Sequence, residues 1–288
     1  YEDLVREGDH FVLPDGVEDA KNIHRQGSDA AEGEELALAG SRIGGAVINL
    51  LAGCGYAEVR VKRFPYVAIV ATGDELVGVG ETPLPHQIRM SNVFQLQHQL
   101  ATGELQASTH HLADDKIELS AGIERLLADN DVLIFSGGVS KGKYDFLPEV
   151  LAALGVRKLF HGVAQRPGKP IWVGRTDDTM VFGLPGNPVS SLTGLLAYVG
   201  PFLRKNQGLA ERVEMRVLAT DFSFGKDLTL FQVSSIDPAT QLVHPVTNAG
   251  SGDASSMLRA DGLLVLPRGH STFAAGEAFE FIPFDKIL

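Results

Sequence analysis

Two glycine-rich turns, each running straight out of a buried apolar stretch, constrain this chain more than any other feature. Residues 131–135 (DVLIF) lead into SGGVSKGKYD at 136–145, and residues 179–182 (TMVF) lead into GLPGNPVS at 183–190. Each turn opens a helical pattern. A strand that ends in a glycine turn and starts a helix presents unsatisfied backbone N–H groups to an anion. Two such turns in one domain predict a single site that grips a phosphate-bearing ligand at several points.

The pattern around them predicts an α/β fold. Residues 66–71 (YVAIVA) form a nearly continuous, β-branched apolar run, as a strand buried on both faces requires. Residues 92–100, 116–129, 146–154 and 189–205 read as helices, and 105–111, 158–163 and 170–174 as extended segments. Alternation of this kind predicts a mostly parallel sheet covered by helices on both faces. Such sheets bind ligands at the carboxyl ends of their strands. TGDE at 72–75, SGGVSKGKYD and GLPGNP are therefore expected on one rim. After about residue 206 the chain turns into short strands at 211–218, 228–236, 241–246, 262–266 and 278–283, a small barrel-like all-β module. Before residue 67 the reading is a partial α+β segment, with a turn in HRQGSD at 24–29, a helix at 46–54 and a strand at 57–62. The expected domains are 1–66, 67–207 and 208–288.

Length and composition agree with this division. A chain of 288 residues with 44% apolar residues exceeds one ordinary core. No apolar run is long enough to span a bilayer, and the polar, acidic start is unlike a signal peptide. The first residue is not Met, so the chain is expected to be part of a longer protein or a processed one. The single cysteine, Cys54, excludes an intrachain disulfide framework and a Cys-rich zinc site, which fits a cytoplasmic location. It is expected as a small buried thiol. A net charge of −11 argues against nucleic acid as a partner. It also means that any bound anion needs local cations, and RPGKP at 166–170 is the basic cluster that stands out.

Each motif admits a structural and a functional reading. Asp74 and Glu75 are either turn and capping acids or oxygen ligands for Mg²⁺ beside a bound phosphate. Gly137 and Gly138 permit close approach of a ligand, Ser140 offers a hydroxyl, and Asp145 either caps the next helix or touches metal or ligand. The stretch is neither a Walker motif nor a dinucleotide GxGxxG fingerprint. Arg166 and Lys169, stiffened by Pro167 and Pro170, form either a rigid crossover or an oxyanion site. Asn187 and Pro188 make a good helix start, and Ser190 lies in its first turn. Trp172 and Phe182 are expected in the core.

Taken in order, ATGDEL, SGGVSKGKYDF, RPGKP and GLPGNPVS, with HRQGSD upstream and GSGD at 250–253, resemble the molybdopterin molybdotransferases, the MoeA family related to the enzymatic domain of gephyrin. The resemblance implies an enzyme of molybdenum cofactor biosynthesis. Such an enzyme inserts molybdate into adenylylated molybdopterin, releases AMP and uses Mg²⁺ or a similar ion. It implies catalytic roles for Asp29, Glu75, Asp114, Asp145, Arg166 and Lys169, with Glu75 and Asp145 at the metal. It implies pterin, phosphate and molybdate contacts from Thr72, Gly73, Asp74, Asn92, Ser136, Gly137, Gly138, Ser140, Gly142, Pro185, Gly186, Asn187, Pro188, Ser190 and Ser251. It further implies a homodimer that receives its substrate from molybdopterin adenylyltransferase. Three departures stand out. Gly162 replaces a frequent Lys, Val233 replaces an Arg that some members use for molybdate, and much of the family's N-terminal portion is missing. The alternatives are molybdopterin adenylyltransferase itself, a molybdopterin-binding scaffold without activity, and a competence-damage-type protein with a related pterin-like domain, for which no supporting tail is visible.

Overall fold

The computed structural model describes residues 4–13, 16, 23–101, 105–139, 146–285 and 287. It divides into two compact units, Tyr1–Arg60 and Val61–Leu288. In the first, β1 (Val5–Glu7) and β2 (His10–Val12) form an antiparallel hairpin, and α1 (Gly45–Gly53) follows. No residue of α1 is buried, although its sequence, GAVINLLAG, is almost wholly apolar. Cys54 caps this helix and is exposed, contrary to the expected buried thiol, because the helix packs no face against a core. Residues 57–62, expected as a strand, join no sheet among the described residues. Val59 and Val61 are 42% and 66% exposed, so the alternation there has no face to bury.

The second unit opens with β3 (Val67–Thr72), the short parallel pair β4 (Leu76–Val77) and β5 (Ile88–Arg89), and α2 (Asn92–Leu100). Then come β6 (Ser108–Leu112), α3 (Lys116–Asp129), β7 (Val132–Ser136), α4 (Leu147–Ala153) and β8 (Arg157–His161). They are followed by β9 (Gln165–Arg166), β10 (Trp172–Arg175), β11 (Met180–Leu184) and α5 (Pro188–Gly194). A π-turn, Leu195–Val199, joins α5 to α6 (Gly200–Asn206). Pro201 lacks the N–H that would continue the α ladder there.

Six strands form one sheet in the order β6-β3-β7-β11-β10-β8. The β6, β3, β7 and β11 strands are parallel, and β10 runs against both its neighbours. The continuous apolar runs are explained by burial on two faces. Val67, Ile69 and Ala71 of β3 pack with Val93 and Leu96 of α2, while Ala68 and Val70 pack with Leu119 and Ile123 of α3. Trp172 and Phe182 are buried as expected.

The remaining strands are β12 (Met215–Val217), β13 (Phe222–Ser223), β14 (Thr229–Ile236), β15 (Val243–Pro245), β16 (Gly262–Leu266), β17 (Thr272–Phe273) and β18 (Ala278–Pro283). Their main sheet is antiparallel in the order β12-β18-β16-β14-β15, and β13 pairs with β17 separately. The β9 strand adds to this sheet in parallel, with Arg166 opposite Leu230. Phe231, Val233 and Leu263 of the β module share one apolar cluster with Leu195 and Val199. The β module is thus joined to the α/β part by backbone pairing and by a common core.

Candidate functional site

The parallel topology brings the carboxyl ends of β3, β7 and β11 to one edge, so the three turns that follow them meet. Gly137 donates its N–H to the carbonyl of Leu184 at 2.9 Å, which ties the second turn to the third. Gly137 and Gly138 have φ of +112° and +69°. A Cβ on Gly138 would stand 2.8 Å from Thr72 Oγ1, and one on Gly137 would stand 3.0 Å from the Thr72 carbonyl. Only glycine gives both the backbone angle and the clearance. Asn92, at the start of α2, donates from Nδ2 to Ser136 Oγ at 3.1 Å and to the carbonyl of Gly186 at 2.7 Å. Thr72, Ser136, Gly137, Gly138, Pro185, Gly186 and Asn187 therefore share one rim, where the sequence places the three turns, and Asn92 ties two of these turns together from α2. The buried Thr72 Oγ1 has no hydrogen-bond partner among the described residues. A hydroxyl so placed, under a glycine turn, is a donor in want of an acceptor.

The first turn carries two acids with different employment. Asp74 Oδ1 accepts the N–H of Asp114 at 3.0 Å, and His111 Nε2 donates to the carbonyl of Gly73 at 2.9 Å. These bonds brace the turn against the loop after β6. Gly73, at φ +136°, makes room for the Glu75 carboxylate, whose oxygens stand where a Cβ would have to go. Glu75 faces the adjoining cleft.

That cleft has a volume of about 880 Å³ and runs between the rim and the β module. Arg166, Lys169, Pro185, Gly186, Asn187, Ser190 and Ser251 all line it. Arg166 and Lys169 are exposed, and neither pairs with an acid among the described residues. The RPGKP segment is held from behind. Gln165 Nε2 donates to the carbonyl of Pro167 at 2.9 Å, and the hydroxyl of Tyr198 donates to Gln165 Oε1. Burial pushes the Tyr198 phenol up from its ordinary value, so it remains a donor. Ser190, 3% exposed, sits in the first turn of α5 as expected.

Asn187 departs from the expected capping role. It occupies the N-cap position, but its side chain makes no capping bond. Its Nδ2 instead donates to Ser251 Oγ at 3.0 Å, and the Ser251 carbonyl accepts the N–H of Val189 at 3.1 Å. The loop bearing Ser251 is fixed by Asp253, whose carboxylate accepts from Ser255 Oγ at 2.6 Å and from the N–H of Ala249 at 3.1 Å. These bonds hold its carboxyl below the usual range.

Both internal departures have structural explanations. Gly162 adopts φ +85°, a conformation that strains a side-chain-bearing residue. Val233 is 1% exposed in the shared core, and the adjacent Gln232 faces the cleft instead. Gln232, Phe222, Phe224, Lys226 and Asn248 line the cleft without having been singled out from the sequence. For Phe222, Phe224 and Lys226 the signal is the alternation in FSFGK, which shows a shared face only once the strand is placed.

Other expected site residues lie elsewhere. Ser140, Gly142 and Asp145 are outside the described residues. Asp29 belongs to the unit Tyr1–Arg60, where its Oδ1 lies 2.5 Å from His24 Nε2. No group of three His, Cys, Asp or Glu among the described residues is arranged to hold a metal ion. Glu75 is the described carboxylate lining the cleft, and one carboxylate falls short of a Mg²⁺ site.

Fold and cleft together define an α/β domain whose strand-end rim borders a cleft closed by a β module. The family model described as a probable molybdopterin binding domain matches residues 68–205, and that for the MoeA C-terminal region (domain IV) matches 216–284. The molybdopterin molybdenumtransferase of Synechocystis sp. is 40% identical over 277 residues, covering 94% of this chain and 69% of the relative. The enzyme of the same name from Bacillus subtilis is 32% identical, over 91% of this chain and 62% of the relative. The crystal structure of the molybdopterin biosynthesis MoeA protein from Pyrococcus horikosii superposes with a TM-score of 0.80 at 28% identity, over 99% of this chain and 71% of that one. The chain belongs to the molybdopterin molybdenumtransferase (MoeA) family.

Proposed function

We propose that this protein inserts molybdate into adenylylated molybdopterin with release of AMP, in molybdenum cofactor biosynthesis. The observation that carries this reading is the cleft itself. Glycine turns face two cations, Arg166 and Lys169, that pair with no acid among the described residues, in a chain of net charge −11. The glycine turns at the strand ends suit a phosphate. The cations suit a second anion. Molybdate, a tetrahedral dianion, would sit beside Arg166, Lys169 and Ser190, with Ser251 closing the pocket.

The bond to be broken is the phosphoanhydride link to the adenylyl group. Its cleavage takes up water, frees AMP and develops negative charge on oxygen. Arg166 and Lys169 oppose that charge from fixed positions, since Pro167 and the Gln165–Tyr198 brace limit their backbone. Thr72 Oγ1 and Ser136 Oγ supply hydroxyls at the rim. No redox group or covalent nucleophile is called for. A further role for Glu75 with Asp145 at Mg²⁺ remains part of the proposal, as does the contribution of Asp29 and Asp114.

We also propose a homodimer, supported by the apolar helix α1 that buries no residue, and substrate handover from molybdopterin adenylyltransferase. Within the proposed division, residues 67–207 bind the pterin and 208–288 close the cleft. No helix is long and apolar enough to cross a membrane. The adenylyltransferase reading is disfavoured because the relatives named above are molybdenumtransferases and the match extends through the β module. The test is reconstitution. The protein, adenylylated molybdopterin and molybdate should activate a cofactor-free molybdoenzyme, and failure with folded protein would leave a binding protein without activity.

A further inference from the structure

The wall of the cleft opposite the rim comes from the β module, and nothing in the sequence motifs accounts for it. Phe222 and Phe224 stand two residues apart, on one face of an extended segment, and both line the cleft. Their inner edges pack on the cluster that contains Leu218, Leu230 and Phe273, so the rings are held rather than loose. Lys226 follows them into the cleft. Its neighbour Asp227 does not neutralise it, because that carboxylate accepts from Arg268 Nε at 2.9 Å. Arg212 and Arg216 of the β module are likewise paired, with Asp285 and Glu214. Lys226 has no side-chain partner among the described residues, and it joins Arg166 and Lys169 as a third unpaired cation on the same cleft. Against these three stands one described carboxylate, Glu75.

Two packed aromatic rings followed by an ammonium without a side-chain partner among the described residues suit a flat heterocycle that carries a phosphate. The rings offer stacking area and the lysine a point charge. We propose that Phe222, Phe224 and Lys226 form the subsite for the nucleoside monophosphate portion of the substrate, with the base on the rings and its phosphate facing Lys226. This rests on the reading that the substrate is adenylylated. The rim would then hold the pterin end and the β module the end that leaves. The β9–β14 pairing makes the arrangement rigid, since it fixes Arg166 opposite Leu230, four residues after Lys226.

The experiment is calorimetric titration of the full chain with AMP, run beside titration with molybdopterin, for wild type, Lys226→Gln, Lys226→Arg and Phe224→Leu. Lys226→Gln should weaken AMP about tenfold, the loss expected of one charge-assisted contact. Lys226→Arg should keep most of the affinity, and Phe224→Leu should lose several-fold. Molybdopterin affinity should not move in any of them. Lys226 is exposed, so the Gln variant should melt as wild type does. Equal AMP affinity in wild type and Lys226→Gln would overturn the subsite, as would a wild type that binds molybdopterin but not AMP. A wild type that binds neither would overturn the functional reading itself.

Discussion

Asn187 donates a hydrogen bond to Ser251 across the join between the α/β part and the β module, at 3.0 Å. The same serine offers its carbonyl to the start of α5, so a loop of the β module satisfies a helix N–H that would otherwise face the ligand or water. Asn187→Ala should therefore lower turnover by loosening the cleft while costing stability no more than about 1 kcal/mol. Urea titration and a turnover assay on the same preparation separate the two effects. A large stability loss with normal turnover per folded molecule would make the contact purely structural.

Thr72→Val gives the sharpest test of the rim. The Thr72 hydroxyl is buried without a partner among the described residues, so its removal should leave stability unchanged or raise it by up to about 1 kcal/mol. Binding of molybdopterin should weaken in the same variant. Lost stability with intact binding would show that the hydroxyl serves the fold.

Gly138→Ala should be destabilising by about 1–3 kcal/mol, because alanine meets both the positive φ and the Thr72 side chain at 2.8 Å. The measurement is the urea midpoint. A neutral result would mean that the second turn rearranges freely.

These tests bear on parts of the molecule that were unequally legible in the sequence. The β3, β7 and β11 strands announce themselves because burial on two faces demands an unbroken apolar run. The rim follows from them, since turns after parallel strands must share an edge. Other features depend on tertiary partners. The β9 strand has two residues, and only its pairing with β14 reveals it as part of the β module's sheet. The Asn187 side chain prefers Ser251, 64 residues away, to the local cap that its position suggests. Residues 57–62 alternate like a strand but pair with no strand among the described residues, and α1 has a helix sequence but buries no residue. Phe222, Phe224 and Lys226 belong to the cleft only because the β module turns that face inward.

Asp131 supplies a pH test remote from the cleft. Arg63 donates to both its oxygens, at 2.6 and 2.9 Å, and the N–H of Tyr66 adds a third bond at 2.7 Å. The hydrogen bond from Arg63 is the main cause that holds this carboxyl below its ordinary value of 3.8. A depressed folded-state value stabilises the protein above the unfolded-state value, and that contribution is lost as pH falls through the folded one. Asp131→Asn should thus be less stable than wild type at neutral pH, and the gap should close below pH 3.8. A gap that persists at lower pH would assign the effect to packing instead of charge. Both side chains are partly exposed, so added salt should also narrow it.

The most direct measurement of the central claim is release of AMP from adenylylated molybdopterin as molybdate is titrated, for wild type and Arg166→Gln. One cleft that holds phosphate on its glycine rim and an oxyanion on its cations predicts AMP release that depends on molybdate. It also predicts that Arg166→Gln raises the half-saturating molybdate concentration while molybdopterin binding stays as it was. AMP release indifferent to molybdate, or an unchanged half-saturation in Arg166→Gln, would contradict it.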